Sequence, residues 1–252
     1  MLAKQGVVLC FQIGFLLLVE INHVARADAP VPIAKPGCPD YKCGDMYIPY
    51  PFGIGPKCYK DHWFDIECKR AISAAAAANN TTQLTAFIKS IKVEVVEFGV
   101  EYGDVIVQSP VISSSKCPSR RRRYRHDDHL NLAGTPFVFS TFNVFVAVGC
   151  NVDASMSQET SEQVGCKSPC SGNTTSIQYW RGDTFCTGRN CCLIPLQPYL
   201  QVYDPSLQSI VDGNETQEEG CKQLAFIASK DWLVGAVSDP SEVGQMDYVP
   251  IS

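Results

Sequence analysis

Cationic and aromatic side chains are concentrated in one cysteine-rich stretch, residues 38–68. Lysine and arginine side chains pair with carboxylates, and a flat aromatic ring receives the apolar C–H face of a sugar ring. The stretch is therefore a candidate binding surface for an acidic sugar. The candidate contact residues are Lys42, Tyr47, Tyr50, Phe52, Lys57, Tyr59, Lys60 and Trp63. The alternative is a small aromatic core surrounded by ordinary solvated lysines.

A second candidate is the basic run that follows Lys116. Its five arginines are Arg120, Arg121, Arg122, Arg123 and Arg125. Guanidinium groups at this density create a local positive field in an otherwise acidic protein, and an acidic polysaccharide is one counter-ion for it. A solvated loop without a partner and a processing site for a basic-residue protease are the alternatives.

Residue patterns typical of enzymes are missing from the sequence. It has no GxSxG elbow, no HExxH pair, no phosphate-binding glycine loop and none of the kinase signatures GxGxxG, HRD and DFG. Only three histidines follow residue 27 and no CxxC pair occurs, so the spacing of a metal site is absent too. We expect no catalysis, no metal and no cofactor.

The first 27 residues have the pattern of a signal peptide. Lys4 precedes an apolar run at residues 6–19, and Ala25 and Ala27 supply the small residues of a cleavage site, which predicts cleavage before Asp28. The run is shorter than the about 20 residues that span a bilayer, and no later segment is long enough or apolar enough to span one. We expect a secreted protein with no membrane span in this sequence.

The charge after residue 27 is acidic. Residues 1–27 contain Lys4, Arg26 and Glu20, so the remainder keeps 19 of 21 basic and 25 of 26 acidic side chains and a net charge of −6. This balance argues against a nucleic-acid partner.

Twelve of the 13 cysteines follow the signal peptide. They are Cys38, Cys43, Cys58, Cys68, Cys117, Cys150, Cys166, Cys170, Cys186, Cys191, Cys192 and Cys221. An even number in an exported chain predicts a disulfide framework, although the order of cysteines does not give their pairing. Sequons predict N-glycosylation at Asn79, Asn80, Asn173 and Asn214, each on the surface.

Short strand-sized runs predict the scaffold. Ile91, Val93 and Val95 alternate with charged residues, Val100 to Tyr102 and Val105 to Val107 continue as strands, and residues 137–148 read as a central strand covered on both faces. Further strands are expected at residues 176–180, 199–203 and 223–229, and the alanine-rich residues 71–82 as a loop insertion. We predict an all-β fold of small disulfide-rich β domains with long loops and little helix.

We place a soft boundary near residues 113–116, because the cysteines divide there into an even four and an even eight. It separates a cysteine-rich domain at residues 28–115 from a second cysteine-rich β region at residues 116–252. A single continuous β unit is the alternative, since about 225 residues suit either arrangement.

The heptapeptide at residues 48–54, IPYPFGI, lies between cysteines and is followed by Cys58 and by Phe64 shortly before Cys68. This order resembles the galacturonan-binding domain at the outer end of plant wall-associated receptor kinases. Later motifs recur in the order expected of the same extracellular region, so the resemblance covers nearly the whole chain after the signal peptide. They are Gly134–Phe137, Phe145–Cys150, Gly165–Cys166 with Cys170, the Cys191–Cys192 pair, and Cys221 with Trp232.

The resemblance implies a non-catalytic module that binds pectin or oligogalacturonide in the cell wall. The family continues through epidermal-growth-factor-like repeats, a membrane span and a kinase. The present sequence resembles the sensor without the transmitter, as expected of a soluble binder, a decoy or a truncated product. The alternative from another class is a secreted defence or signalling protein that binds another extracellular protein.

Overall fold

The protein is described by a computed structural model, which covers residues 34–39, 41–72, 82–113, 130–157, 163–168, 186, 191–210, 223–236, 243–244 and 246–252. Strands dominate these residues, so the predicted all-β fold with little helix is confirmed. The elements are β1 Lys42–Cys43, β2 Met46–Tyr47, a 3-10 turn at His62–Phe64, β3 Ile66–Ile72, β4 Thr82–Ile88, β5 Val93–Gly99, β6 Asp104–Pro110, β7 Ile112–Ser113, β8 Asn143–Val148, β9 Val152–Ser157, β10 Gln163–Ser168, β11 Cys191–Pro195, β12 Asp204–Ser209, β13 Leu224–Ser229, α1 Lys230–Ala236 and β14 Tyr248–Ile251.

The strands form four antiparallel sheets. The largest has the order β14-β6-β5-β4-β3, the second β11-β8-β13-β7 and the third β10-β9-β12, while β1 and β2 form a small hairpin. Two pairings cross the predicted boundary near residue 115: β14 pairs with β6, and β7 pairs with β13. The two cysteine-rich regions therefore share sheets.

The prediction of a central strand is confirmed for β8, every residue of which is buried. One face of β8 and its neighbour β13 packs into a cluster with Phe145 and Ile227, which also contains Phe52 and Ile88 of the region before residue 115. The opposite face packs Val146 and Phe226 into a second cluster. The strand is shorter than predicted, because it begins at residue 143 rather than 137.

Two predicted strands are turns instead. Residues 100–103 form the tight connection between β5 and β6, and Tyr102 is 81% exposed there. Tyr199 lies in a turn at a φ of 64° and is 86% exposed, while Val202 forms an isolated bridge with Asn131. Apolar residues at these turns gave a strand-like pattern without a neighbouring strand to pair with. The candidate at 223–229 is confirmed as β13, and 176–180 lies outside the described residues.

Disulfides hold the sheets at defined points. Cys38 bonds to Cys58, Cys43 to Cys68, Cys166 to Cys192 and Cys186 to Cys191. Cys150 is also disulfide-bonded. The predicted framework is thus confirmed for nine cysteines, whereas Cys117, Cys170 and Cys221 lie outside the described residues.

Candidate functional site

The β1–β2 hairpin presents a positioned cation beside two exposed aromatic rings. Lys42 and Tyr47 are cross-strand partners, and the Lys42 ammonium lies 4.0 Å from the centroid of the Tyr47 ring. The Tyr47 ring is stacked in turn with that of Tyr41, at a centroid distance of 5.9 Å. Both tyrosines are nearly half exposed, whereas Cys43, between Tyr41 and Tyr47, is buried and bonded to β3. The disulfide therefore anchors a hairpin whose outer surface is open to solvent.

The electrostatics of the hairpin keep Lys42 charged. The pKa of Lys42 is raised above its usual 10.5, mainly by its side-chain hydrogen bond with Tyr47. Desolvation opposes this rise, and weaker charge interactions with Tyr47, Tyr41 and Asp45 add to it. A cation over an aromatic ring is attracted by the ring quadrupole as well. Tyr47 consequently holds the ammonium in place, and the hairpin offers a fixed positive charge to an incoming carboxylate.

Most of the heptapeptide is buried or partly buried, and Tyr50 is its one exposed residue. Ile48 and Phe52 are buried, while Tyr50 between them is 48% exposed. Gly53 is needed where the chain crosses itself, because a Cβ there would overlap the carbonyl of Cys58 and lie 2.8 Å from the Tyr59 nitrogen. The segment is a structural support that leaves one tyrosine exposed.

The structure places Phe52, one of the predicted contact residues, in the interior rather than at the surface. Phe52 is only 8% exposed, and its ring packs at centroid distances of 5.2 Å on Phe64, 5.0 Å on Phe98 and 6.1 Å on Phe137. These rings come from separate parts of the chain, so Phe52 joins the heptapeptide to the five-stranded sheet. The alternative interpretation, an aromatic core residue, holds for this position.

The remaining candidates form a second group on the loop between the heptapeptide and β3. Lys57 and Lys60 are exposed, while Tyr59 and Trp63 are partly buried. The Lys60 ammonium lies 5.7 Å from the Phe64 ring centroid. The Trp63 ring contacts the His62 ring in a tilted arrangement, with the centroids 4.4 Å apart. The Trp63 backbone N–H donates to Asp61, and its carbonyl accepts a hydrogen bond from the Ser90 hydroxyl. The Cys38–Cys58 disulfide links this loop to the segment that leads into the hairpin.

Sequence reasoning missed two features of this surface. Tyr41 was not a candidate, yet it stacks on Tyr47; its position one residue before Lys42 was the available signal. On β3 the Lys69 ammonium lies 4.5 Å from the Phe87 ring centroid and 2.7 Å from Glu67. Strand pairing places Glu67 directly opposite Phe87, a relation that sequence separation alone does not give.

Not every lysine here is equally available to a ligand. Lys89 forms an ion pair with Asp65 at 2.8 Å, and this hydrogen bond is the main reason that the pKa of Lys89 is raised. An ammonium already paired with a protein carboxylate competes poorly for one on a ligand. Lys42 instead rests on an aromatic ring, so it is the better-placed cation.

Several predicted residues lie outside the described ranges. They are Arg120, Arg121, Arg122, Arg123 and Arg125, the sequon residues Asn79, Asn80, Asn173 and Asn214, and the signal peptide at residues 1–27. Within the ranges that are described, no cluster of three or more potential metal ligands occurs. No helix in that part of the chain has the length and apolar character needed to cross a membrane.

Two family models match the chain. The first, described as wall-associated receptor kinase galacturonan-binding, matches residues 38–99, and the second, described as wall-associated kinase, matches residues 183–252. The first match contains the hairpin, the heptapeptide and the lysine-bearing loop. No solved structure is significantly similar to the chain.

Curated relatives from Arabidopsis thaliana agree with the family models. Wall-associated receptor kinase-like 10 is 31% identical over 84% of this chain and 29% of its own length. Wall-associated receptor kinase-like 4 is 33% identical over 83% and 27%, and wall-associated receptor kinase-like 17 is 30% identical over 94% and 32%, respectively. The chain thus spans about 30% of the length of the relatives it matches.

Proposed function

Since this chain belongs to the wall-associated receptor kinase family, we propose that it binds pectic galacturonan without catalysis, through the hairpin surface formed by Tyr41, Lys42 and Tyr47. The observation that carries the proposal is the position of Lys42. Its ammonium is held over the Tyr47 ring inside the segment that matches the galacturonan-binding model. A galacturonan offers a carboxylate on each sugar unit, which is the group that this ammonium pairs with.

Exposed aromatic rings supply the second kind of contact. Tyr41 and Tyr50 are 43% and 48% exposed. Their faces suit the apolar C–H side of a sugar ring, and their hydroxyl groups suit its alcohols. A carboxylate at Lys42 with a ring on Tyr41 therefore fits a uronic acid better than a neutral sugar.

The expected affinity per sugar unit is low. Ion pairs at exposed sites contribute about 0.2–1 kcal/mol each, because water screens both charges. A polymer with repeated carboxylates gains avidity when further lysines, such as Lys57 and Lys60 of the loop, bind other units of the same chain. Binding that depends on such contacts weakens as added salt screens them.

We place the binding module outside the cell, in the wall. The disulfides of the described residues suit an oxidising compartment, and the predicted signal peptide and sequons suit export. The matched family models describe extracellular parts of these receptors, and neither match is to a kinase domain.

The test is retention of the secreted protein on immobilised oligogalacturonate at low salt. Lys42→Gln and Tyr47→Ala should each reduce retention severalfold, because the first removes the charge and the second removes its support. Lys167→Gln is the control, since Lys167 is also exposed but lies on β10 and is paired with Asp153 at 2.8 Å. Equal retention of Lys42→Gln and the control would contradict the proposed site.

The arginine run is tested in the same assay. Replacement of residues 120–123 by serine should leave the contribution of Lys42 intact, because the two segments lie far apart in sequence and the family match ends before the run. Complete loss of retention in the serine variant, with no effect of Lys42→Gln, would move the site to the arginines.

A further inference from the structure

The face of β3 that carries the hairpin also carries an exposed arginine. The Cα atoms of Cys43 and Cys68 are 5.6 Å apart in their disulfide, so the Cys68 side chain points toward the hairpin. Side chains two residues apart on a strand share a face, which places the Arg70 side chain on the same side of β3 as that of Cys68. Arg70 is exposed. It therefore lies at the surface next to the point where the disulfide attaches the hairpin.

The turn of the hairpin approaches the residue that pairs with Arg70. In the β3–β4 register Arg70 lies opposite Leu84, so the two side chains are on the same face of the sheet. A Cβ on Gly44, in the hairpin turn, would lie 3.6 Å from the Cβ of Leu84. Leu84 is nevertheless 46% exposed. The surface of the hairpin therefore continues past its turn onto Arg70 and Leu84.

The charge of Arg70 is not neutralised by a carboxylate in the described part of the chain. The adjacent Lys69 points to the other face of β3, where its ammonium lies 2.7 Å from Glu67 and 4.5 Å from the Phe87 ring centroid. Arg70 forms no ion pair with Asp45 of the hairpin turn or with any other described carboxylate. A guanidinium binds a carboxylate through two parallel hydrogen bonds. Arg70 is therefore available to a carboxylate on a ligand.

One polymer can reach both Arg70 and the cation of the hairpin. Lys42 directly precedes Cys43, and Arg70 follows Cys68 by two residues. From the Cα distance across the disulfide and the spacing of Cα atoms along the chain, the Cα atoms of Lys42 and Arg70 are at most about 16 Å apart. The disulfide fixes this separation. Since a galacturonan has a carboxylate on each sugar unit, different units of the same polymer can pair with the two cations.

We propose that Arg70 and Leu84 form a second subsite for a uronate unit, which extends the hairpin surface and rests on the proposed function. The Arg70 guanidinium binds the carboxylate of one unit, and the Leu84 side chain contacts the apolar C–H face of its ring. Lys42 binds the carboxylate of another unit of the same polymer. Two linked contacts give a higher affinity than either contact alone, so the pair of subsites selects a polyuronate over a single acidic sugar.

The test is retention of the full secreted protein on immobilised oligogalacturonate at low salt. Arg70→Gln removes the charge and should reduce retention about two- to fivefold, as expected for one exposed ion pair. Arg70→Lys keeps the charge without the bidentate geometry and should give intermediate retention. Lys92→Gln is the matched control, because Lys92 is also exposed but lies between β4 and β5, at the other end of β4 from Leu84. Equal retention of Arg70→Gln and Lys92→Gln would overturn the proposal.

Replacement of Leu84 tests the apolar contact separately from the charge. Leu84→Ala should reduce retention about two- to threefold, as expected when a partly exposed side chain no longer covers a ligand. Val96→Ala is the control, since Val96 is an exposed apolar residue of β5, and it should leave retention unchanged. A thermal melt of each variant verifies its folding. Unchanged retention of folded Leu84→Ala would contradict the assignment of Leu84 to the subsite.

Lys42→Gln, measured in the same assay, distinguishes failure of this proposal from failure of the proposed function. Reduced retention of both Lys42→Gln and Arg70→Gln, with Lys92→Gln unchanged, supports the two subsites. Reduced retention of Lys42→Gln with full retention of Arg70→Gln would leave the hairpin surface intact and overturn the second subsite. Full retention of both variants would overturn both proposals. Reduced retention of Arg70→Gln alone would overturn the hairpin surface and, with it, the extension from that surface.

Discussion

Replacement of Phe52 by alanine tests whether the heptapeptide is a support or a contact surface. Phe52 is 8% exposed and packs on three other rings at 5.0–6.1 Å. Removal of a buried phenylalanine costs about 3–5 kcal/mol in free energy of unfolding. The ring borders an existing cleft, which limits the contacts it loses, so we expect the lower end, about 3 kcal/mol.

The expected change is measurable by calorimetry or circular dichroism. For a chain of this size, about 3 kcal/mol corresponds to a decrease in Tm of roughly 6–12 °C. Tyr50→Ala is the control from the same heptapeptide, because Tyr50 is 48% exposed and should change the stability by no more than about 0.5 kcal/mol. Both variants keep all the cysteines, so the disulfides are common to the comparison.

Oligogalacturonate binding should depend on Tyr50 rather than on Phe52, the reverse of their effects on stability. Phe52→Leu retains a buried apolar side chain and should keep full retention on oligogalacturonate, whereas Tyr50→Ala should lower retention while leaving the Tm nearly unchanged. A Tm decrease for Tyr50→Ala as large as that for Phe52→Ala would refute the interpretation of Phe52 as the supporting residue. So would loss of binding in folded Phe52→Leu.

Three further predictions follow from the same contacts. The pKa of Lys42 is raised above 10.5, so its charge is present below that value and is lost only as the pH rises through the raised pKa. Oligogalacturonate retention should therefore stay constant above neutral pH and fall only above 10.5, whereas a decrease near neutral pH would contradict this. Joint replacement of Cys43 and Cys68 by serine removes a disulfide between residues 25 apart and should cost about 3.5 kcal/mol in free energy of unfolding. The same replacement of Cys186 and Cys191, which are 5 apart, should cost about 2 kcal/mol. Denaturant titration measures both costs, and the reverse order would contradict the loop-entropy explanation. Asn143 is fully buried and forms hydrogen bonds with Ser252, so Asn143→Ala should cost about 2–3 kcal/mol in free energy of unfolding. Asn131→Ala, at an exposed position, should cost less than about 1 kcal/mol. Equal costs would show that the Ser252 contacts add nothing to the stability.

Sequence periodicity predicted the strands that have a clear apolar pattern. β8 is apolar on both faces from Val144 to Val148, as expected of a strand covered on both sides, and β13 is apolar from Leu224 to Ala228, so both were recognised. β9 was missed although Val152, Ala154 and Met156 alternate with polar residues and are fully buried. The serines and the aspartate of β9 are typical of a loop, so the sequence did not predict a strand there. The two strands that pair with β9 and make it a central strand, β10 and β12, are themselves polar.

The pairing of distant segments could not be predicted from composition. β14 follows β6 by more than 130 residues, and its sequence, Tyr-Val-Pro-Ile, contains a proline that disfavours a central strand. The structure places it at the edge of the five-stranded sheet, where a missing donor is tolerated. This pairing and that of β7 with β13 cross the predicted boundary near residue 115, and cysteine numbers contain no information about such contacts.

Residue types indicated which side chains to consider as ligand contacts, but not how those side chains are oriented. Clustering of lysines and aromatics selected Lys42 and Tyr47, and the structure shows that these two side chains contact each other. It gave no means to separate exposed Tyr50 from buried Phe52, because the direction of each side chain depends on the turn between them and on residues such as Phe98 and Phe137. A cleft lined by Phe52, Phe98 and Phe137 could not be predicted either, because its lining comes from at least six separate segments of the chain.

Calorimetric titration of the secreted protein with oligogalacturonate, at low and at physiological salt, tests the central claim most directly. We predict measurable binding at low salt, weaker binding at physiological salt because the contact is ionic, and no binding of a neutral glucan of equal length. An absence of heat at both salt concentrations, or equal binding of the neutral glucan, would contradict the account.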